Sequence, residues 1–289
     1  WYRKAQEKDP KLANATARLG AIDLAEGRID EATRQYDLAL QLDPANATAH
    51  NYYAAKSFKE RNFPEAINHA RMALVADPDS MDAYLNLAAT YFSMGLIDVG
   101  VLVGRNAISL DPRDGPNQNM LGLVFLKKDE VRQAVSLFGK AANDDPKLFD
   151  ALMNYGAVTL SYKDFATAAE QFTKAVALRP DDVGALMSLA TALRAQGQGE
   201  EAKKHLDKVL KLQPNNPDPH YNLCLLFQET LGQNEKALAE CETFVRNVPA
   251  THPKQKEAVR RVEGIKLTIE AIKEMNAAPP APDGGAPNP

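Results

Sequence analysis

Asparagine side chains recur in phase along the chain and are the residues best suited to binding chemistry. Asn86, Asn154 and Asn222 are spaced by 68 residues, and Asn51 and Asn119 lie one position earlier in the intervals between. A carboxamide offers two donors and an acceptor, so a row of them on one helix face can hydrogen-bond an extended peptide backbone of any sequence. The pattern predicts a binding surface for protein segments.

Apolar side chains lie between these asparagines on the same predicted helices and would complete the surface. Methionine is unbranched and adaptable, which suits a surface that accepts varied partners. The apolar candidates are Leu85, Phe92, Met120, Met153, Met187 and Tyr221. Some of these side chains could instead form the core between repeats, and position alone leaves that alternative open.

The five histidines form no catalytic pattern. No two of them have the helical spacing of a metal-binding pair. His50 and His220 occupy positions where the repeat described below favours an aromatic residue, and His69 and His205 are expected on the outward side of second helices. The sequence also lacks a glycine-rich phosphate loop and a nucleophile elbow. We therefore predict a protein that is not an enzyme, with no catalytic residue, metal or cofactor.

Cys224 and Cys241 are the only cysteines, and the repeat places them in two paired helices where they can be neighbours. Because free cysteine behaves as a small hydrophobe, we interpret them as two buried thiols. A disulfide is the alternative, and it would require an oxidising compartment.

Charge and hydropathy narrow the class of partner. The formal net charge is −4, whereas nucleic-acid-binding proteins carry a basic excess that neutralises phosphates. No apolar run approaches the roughly 18 residues that span a bilayer. We expect protein partners, with no nucleic acid and no direct membrane span.

Prolines mark a regular period. Each follows an apolar stretch and ends a helix, because proline lacks an N–H and clashes with the preceding turn. They recur every 34 residues at Pro10, Pro44, Pro78, Pro112, Pro146, Pro180 and Pro214. Each interval holds two runs of helical apolar spacing. Gly27, Gly95 and Gly197 share one position in the turn between the runs, where a positive φ is expected.

Small and large residues recur where the paired helices must meet. One example is Gly122 in a first helix, with Ala134 and Phe138 in the second. Together with the period of 34 and the closing proline, this pattern resembles the tetratricopeptide repeat family over about residues 1–251. The resemblance implies an all-α, right-handed superhelical solenoid of helix-turn-helix repeats, with first helices lining a concave groove. The asparagines are similar to the ladder in the repeat arm of O-linked N-acetylglucosamine transferases, although offset and incomplete.

The period divides the chain into four parts. Residues 1–12 align with the second helix of a preceding, truncated repeat, with a lone N-terminal capping helix as the alternative. Residues 13–251 are predicted to form seven repeats. Residues 252–276 predict a C-terminal capping helix that covers the last hydrophobic face. Residues 277–289 are rich in Ala, Pro and Gly and predict a disordered tail.

Two repeats depart from the pattern. The seventh carries one extra residue near Leu231–Asn234, which is expected to lengthen its inter-helix turn. In the third, Gly100 and Gly104 replace the small and large residues of the second helix. The missing side chains predict either a notch filled by a neighbour or a local hinge.

These features predict a scaffold or adaptor that binds extended or helical segments of partner proteins in the concave groove. One alternative is the substrate-recruiting repeat arm of a larger enzyme such as a glycosyltransferase. Another is a structural subunit that binds through its convex face or its ends. General resemblance to bacterial repeat arrays favours a cell-envelope assembly of the pilus or gliding-motility type, on the periplasmic side of the outer membrane. A lipid anchor would then precede Trp1; a cytoplasmic location is the alternative.

Overall fold

The computed structural model describes residues 1–2, 9 and 12–277, and all regular structure in this part of the chain is helical. This confirms the predicted all-α class. The predicted tail from residue 278 onward and most of the predicted first part lie outside the described residues. The helices are α1 (Ala13–Ala25), α2 (Ile29–Leu42), α3 (Ala47–Lys59), α4 (Phe63–Ala76), α5 (Met81–Ser93), α6 (Ile97–Leu110), α7 (Gly115–Lys127), α8 (Val131–Asp144), α9 (Phe149–Ser161), α10 (Phe165–Leu178), α11 (Val183–Ala195), α12 (Gly199–Leu212), α13 (Asp218–Leu225), α14 (Asn234–Asn247) and α15 (Gln255–Ala277), with a π-helical turn at Leu226–Thr230.

The chain divides into two compact units, Trp1–Tyr155 and Gly156–Pro289. In the first unit the helices pack in pairs, α1 on α2, α3 on α4, α5 on α6 and α7 on α8, and α1, α3, α5 and α7 also contact one another in succession. In the second unit each helix from α11 to α15 packs on the helix before it. Such sequential packing of helix-turn-helix units is that of a tandem-repeat solenoid. The division into seven repeats and a cap stays a prediction.

The linkers between repeats explain why an aspartate precedes several of the periodic prolines. A residue before proline is pushed toward extended backbone, and Asp43, Asp77, Asp111 and Asp145 have φ values between −143° and −128°. Each carboxylate accepts a hydrogen bond from the backbone N–H two residues later, for example from Ala45 at 3.0 Å. These Asx turns satisfy backbone donors where the helix has ended.

The turn inside each repeat has a left-handed residue at one fixed position. Gly27, Gly95 and Gly197 have φ values of 77° to 78°, which confirms the prediction. The equivalent position also has positive φ where it is not glycine, in Arg61, Asp129 and Lys163. The backbone geometry is therefore set by the repeat, and these three side chains adopt it at some conformational cost.

The extra residue of the seventh repeat lies elsewhere than predicted. The turn keeps three residues, 231–233, and contains Gly232 at φ 64°. The insertion is absorbed earlier, by the π-helical turn Leu226–Thr230 at the end of the first helix. The expectation of a longer turn was wrong, because a π-helical turn takes up one residue without moving the second helix out of register.

The two helices of a repeat meet at one recurrent contact point, which in several repeats is formed by a small residue and a large one. A Cβ atom on Gly122 would lie 2.6 Å from Phe138 Cε1, and one on Gly156 would lie 2.6 Å from Phe172 Cε1. Both phenylalanines are almost fully buried. At these two contact points, only glycine leaves room for the aromatic ring.

Cys224 and Cys241 occupy this contact point in the seventh repeat and form a disulfide. The interpretation as two buried thiols was wrong. The contact point brings the two Cα atoms to 5.1 Å, within the range that a disulfide bridges. Both residues are 0% exposed, so the bond is shielded from solvent.

The third repeat has no large side chain at its contact point, and the next repeat supplies one. A Cβ on Gly104 would lie 3.0 Å from Leu121 Cδ1, and a Cβ on Gly100 would lie 3.5 Å from Val124 Cγ2. Leu121 and Val124 both belong to α7 and are buried. The structure thus shows the first of the two alternatives, a notch filled by a neighbour.

Gly100→Ala is expected to raise the free energy of unfolding by roughly 0.5–1 kcal/mol. Alanine is the better helix former, and its Cβ would meet Val124 at an ordinary contact distance. Gly104→Ala is the matched control, since its Cβ would crowd Leu121 and offset the gain in propensity. Urea unfolding followed by circular dichroism measures both. A Gly100→Ala chain less stable than the parent would contradict this account of the notch.

Candidate partner-binding surface

Four of the five predicted asparagines lie in the first unit, on the successive first helices α3, α5, α7 and α9. Asn86 Nδ2 donates to the backbone carbonyl of Asn51 at 3.2 Å, and Asn154 Nδ2 donates to Asn119 Oδ1 at 2.9 Å. All four side chains are half-buried. The structure therefore brings them together as two pairs, each linking neighbouring repeats.

The asparagines differ in which side-chain amide atoms remain available to a ligand. Within the described residues, Asn86 Oδ1, Asn119 Nδ2 and Asn154 Oδ1 make no hydrogen bond and are not buried. Asn51 differs, because its Nδ2 donates to Ser80 Oγ at 2.8 Å and its Oδ1 is buried without a partner in the described chain. We call Asn86, Asn119 and Asn154 the amide row; Asn51 serves the contact between repeats.

Asn222 lies in the second unit and pairs with another predicted residue. Its Nδ2 lies 3.8 Å from the sulfur of Met187, and both side chains are half-buried. Thioether sulfur is a weak acceptor, so this contact holds the asparagine only loosely.

The apolar candidates separate into two groups by burial. Leu85, Phe92, Met153 and Met187 are half-buried and present part of their surface to solvent. Met120 is 7% exposed and Tyr221 is 4% exposed, so the structure places both in the core, and they leave the candidate surface.

Tyr221 belongs to a core cluster with Phe244, whose ring centroid lies 5.0 Å away. Burial raises the pKa of the Tyr221 phenol to about 12, assisted by a hydrogen bond with Glu257. The sequence could not separate such residues from groove residues, because both lie on first helices.

Two histidines meet in the second repeat. His50 is buried, and its Nε2 donates to the Pro44 carbonyl at 2.9 Å, so its Nδ1 is free to accept from His69 Nδ1 at 2.9 Å. His69 thus faces the interior, and its expected outward position was wrong. Burial, and then the neighbouring His50, lower the pKa of His69, while Glu65 acts in the opposite direction. The pair is a packed polar contact between α3 and α4.

The second unit contains an ionic network that the sequence did not predict. Glu229 accepts from Arg194 Nη1 at 2.6 Å and from Arg261 Nη1 at 2.8 Å. The network connects α11, the π-helical turn and α15. Arg194 is therefore already paired with a carboxylate of the chain itself.

Residues 12–277 contain neither a cluster of metal-binding side chains nor a helix that could span a membrane. No group of three or more His, Cys, Asp or Glu side chains in that part is placed to hold a metal ion. No helix there is both long enough and apolar enough to cross a bilayer.

Family models match the central part of the chain. Two tetratricopeptide repeat models match the chain, over residues 119–183 and 159–223. The BBSome complex member BBS4 of Xenopus tropicalis is 29% identical over 135 residues, which are 47% of this chain and 26% of that protein. Human Superkiller complex protein 3 is 31% identical over 90 residues, 31% of this chain and 6% of that protein. The chain thus spans about a quarter or less of these relatives.

Solved structures share the fold. PilF of Pseudomonas aeruginosa aligns with a TM-score of 0.62 at 20% identity, covering 78% of this chain and 98% of that one. PilW, described as a type IV pilus biogenesis factor, aligns with a TM-score of 0.60 at 19% identity, covering 74% and 98%. Cut9, in a complex with Hcn1, aligns with a TM-score of 0.66 at 20% identity, covering 80% and 45%. At these identities the likeness is one of fold.

Proposed function

Because this chain is a tetratricopeptide repeat protein, and so a scaffold for protein–protein interaction, we propose that it binds an extended segment of a partner protein along the amide row. Proteins of this repeat type are typically non-catalytic. The observation that carries the proposal is the set of free amide atoms on Asn86, Asn119 and Asn154.

The amide row matches the chemistry of a peptide backbone. An extended backbone presents both donors and acceptors, and the row offers free acceptors on Asn86 and Asn154 and a free donor on Asn119. The hydrogen bond from Asn154 to Asn119 also holds the two side chains in place before a ligand arrives. Less side-chain freedom is then lost on binding.

Apolar neighbours supply the rest of the proposed surface. Leu85 and Phe92 lie on α5 with Asn86, and Met153 lies on α9 with Asn154. Their half-burial fixes each side chain and still leaves apolar area for a partner to cover. Asn222 with Met187 forms a second, smaller patch in the other unit.

We further infer that the scaffold works in an oxidising compartment, such as the bacterial periplasm. The buried Cys224–Cys241 disulfide supports this placement, because structural disulfides are rare where glutathione and thioredoxin keep thiols reduced. A role in a pilus or gliding-motility assembly stays a prediction, since PilF and PilW share only the fold with this chain.

The test is affinity capture from native lysate with Asn86→Ala/Asn119→Ala/Asn154→Ala. We expect the triple variant to lose the partners that the parent retains. A photo-crosslinking amino acid placed at Phe92 should couple to the same partners, which locates the contact directly. Equal helicity and melting temperature must be shown first, because Asn86 and Asn154 also bond between repeats.

The matched control is Asn68→Ala/Asn106→Ala/Asn143→Ala, which removes three exposed asparagines from second helices. This variant should capture every partner. If the amide-row variant is stable and still captures them all, the proposed surface is wrong.

A further inference from the structure

The first unit contains a cationic cleft whose charged side chains lie on second helices and whose lining includes none of the amide-row asparagines. It has a volume of about 390 Å³ and is formed by α6, α7 and α8. Its floor consists of Leu121 and Phe125, both 3% exposed, and Ile108 and Leu137 form half-buried walls. The cleft is shallow and open to solvent, so it suits a segment that lies across the surface better than an enclosed small molecule.

The cleft is next to the contact point of the third repeat, where Gly104 stands in place of a large residue. Gly104 has no side chain, and Leu121 of the following repeat leans into the vacated space. Leu121 is also part of the cleft floor. Because position 104 is glycine, the side chain of Leu121 fills this part of the repeat. Repeats that carry Tyr36, Phe138 or Phe172 at the equivalent position have an aromatic ring there instead.

Three cations surround the apolar floor. Arg105, Arg132 and Lys140 are exposed, and none of the described residues that line the cleft is acidic. None of the three forms an ion pair with another described residue. The Arg105 guanidinium lies 5.6 Å from the centre of the Phe125 ring, which positions it over the floor. In a chain with a net charge of −4, this is a local positive field beside an apolar surface.

We propose that this cleft binds an acidic, apolar segment of a partner protein. A leucine or phenylalanine of the segment would pack against the half-buried Ile108 and Leu137. Flanking glutamates or aspartates would pair with Arg105, Arg132 and Lys140. Arginine suits this role because its planar guanidinium can hold a carboxylate through two parallel hydrogen bonds. Uncompensated cations at the rim also accelerate the approach of a negatively charged partner and disfavour a basic one.

The test uses a fluorescein-labelled peptide in which leucines are interspersed among glutamates, with fluorescence anisotropy as the readout. We expect binding that weakens as salt is added, and no binding of a twin peptide with lysine in place of glutamate. Arg132→Glu/Lys140→Glu should weaken binding roughly tenfold or more, because two attractive charges become repulsive.

The control Lys211→Glu/Lys273→Glu changes the net charge equally, at two exposed lysines in the second unit, and should bind as the parent does. If the reversal variant melts earlier than the parent, Arg132→Gln/Lys140→Gln takes its place. The amide-row variant should also bind the peptide normally, which separates this proposal from the previous one.

Two results would overturn the proposal. One is equal binding of the acidic peptide by the parent and the cleft variants. The other is binding to phosphatidylglycerol vesicles that depends on Arg132 and Lys140 while the peptide does not bind, which would assign the cleft to a membrane surface.

Discussion

Reducing the Cys224–Cys241 disulfide is expected to lower the free energy of unfolding of the second unit by about 3 kcal/mol. The cysteines are 17 residues apart, and closing a loop of this length removes conformational entropy from the unfolded chain by about that amount. The measurement is urea unfolding of the parent chain, oxidised and reduced, with identical side chains in both samples. Reduction requires prior unfolding, because the bond is fully buried.

A variant separates the cross-link from the packing of the sulfur atoms. Cys224→Ala/Cys241→Ala should be less stable than the oxidised parent, and reductant should leave it unchanged. Hydrogen exchange on reduction should rise mainly in α13, α14 and α15, since a repeat transmits stability chiefly to its neighbours. Equal urea midpoints for the oxidised and reduced parent would contradict the prediction. Two free thiols in protein isolated without reductant would remove the compartment proposal as well.

The disulfide also shows which parts of this fold can be predicted from the sequence. The 34-residue period identifies the helices, their turns and the paired positions, because the two helices of each repeat pack together at equivalent positions. Gly27, Gly95 and Gly197 have the expected positive φ. These features depend on local backbone sterics, which proline and glycine reveal directly.

The chemistry at each contact point depends on what neighbouring repeats supply, and the pattern does not contain that information. In the fifth repeat the contact point consists of Gly156 against Phe172. In the third repeat it contains Gly104, and Leu121 of the next repeat fills the space. In the seventh it holds a disulfide. Met120 and Tyr221 show the same difficulty, since their helix face is in phase with the candidate surface although their side chains are buried.

The position within the repeat identified the asparagines, but it did not predict their hydrogen bonds. From Asn51 to Asn154 the successive asparagines are 33 or 35 residues apart, which indicates neighbouring repeats, and the hydrogen bond from Asn154 to Asn119 follows from that neighbourhood. Which amide atoms remain free depends on side-chain rotamers, which spacing does not determine. The cationic cleft could not be predicted from the sequence either, because Arg105, Arg132 and Lys140 come from two second helices and are adjacent only in the folded chain.

Gly156→Ala is expected to lower the free energy of unfolding by roughly 1–3 kcal/mol, although alanine favours helices. The new methyl group would lie 2.6 Å from Phe172 Cε1, and the ring is 1% exposed and has little room to retreat. Gly264→Ala in α15 is the control. Its Cβ would meet no atom of the described residues within 4 Å, so this substitution should stabilise the chain by about 1 kcal/mol. Urea unfolding followed by circular dichroism measures both variants.

A double-mutant cycle identifies the cause of the Gly156→Ala effect. Phe172→Leu alone should be destabilising, because it removes buried ring atoms. The double variant Gly156→Ala/Phe172→Leu recreates the Ala190 and Leu206 pair that the following repeat uses at the same contact point, where both residues are buried. We expect it to be more stable than the sum of the single effects by about 0.5–3 kcal/mol, since the smaller side chain relieves the clash. Strict additivity would mean that the ring is not what excludes a side chain at position 156, and that the small and large residues of a repeat do not act as one contact.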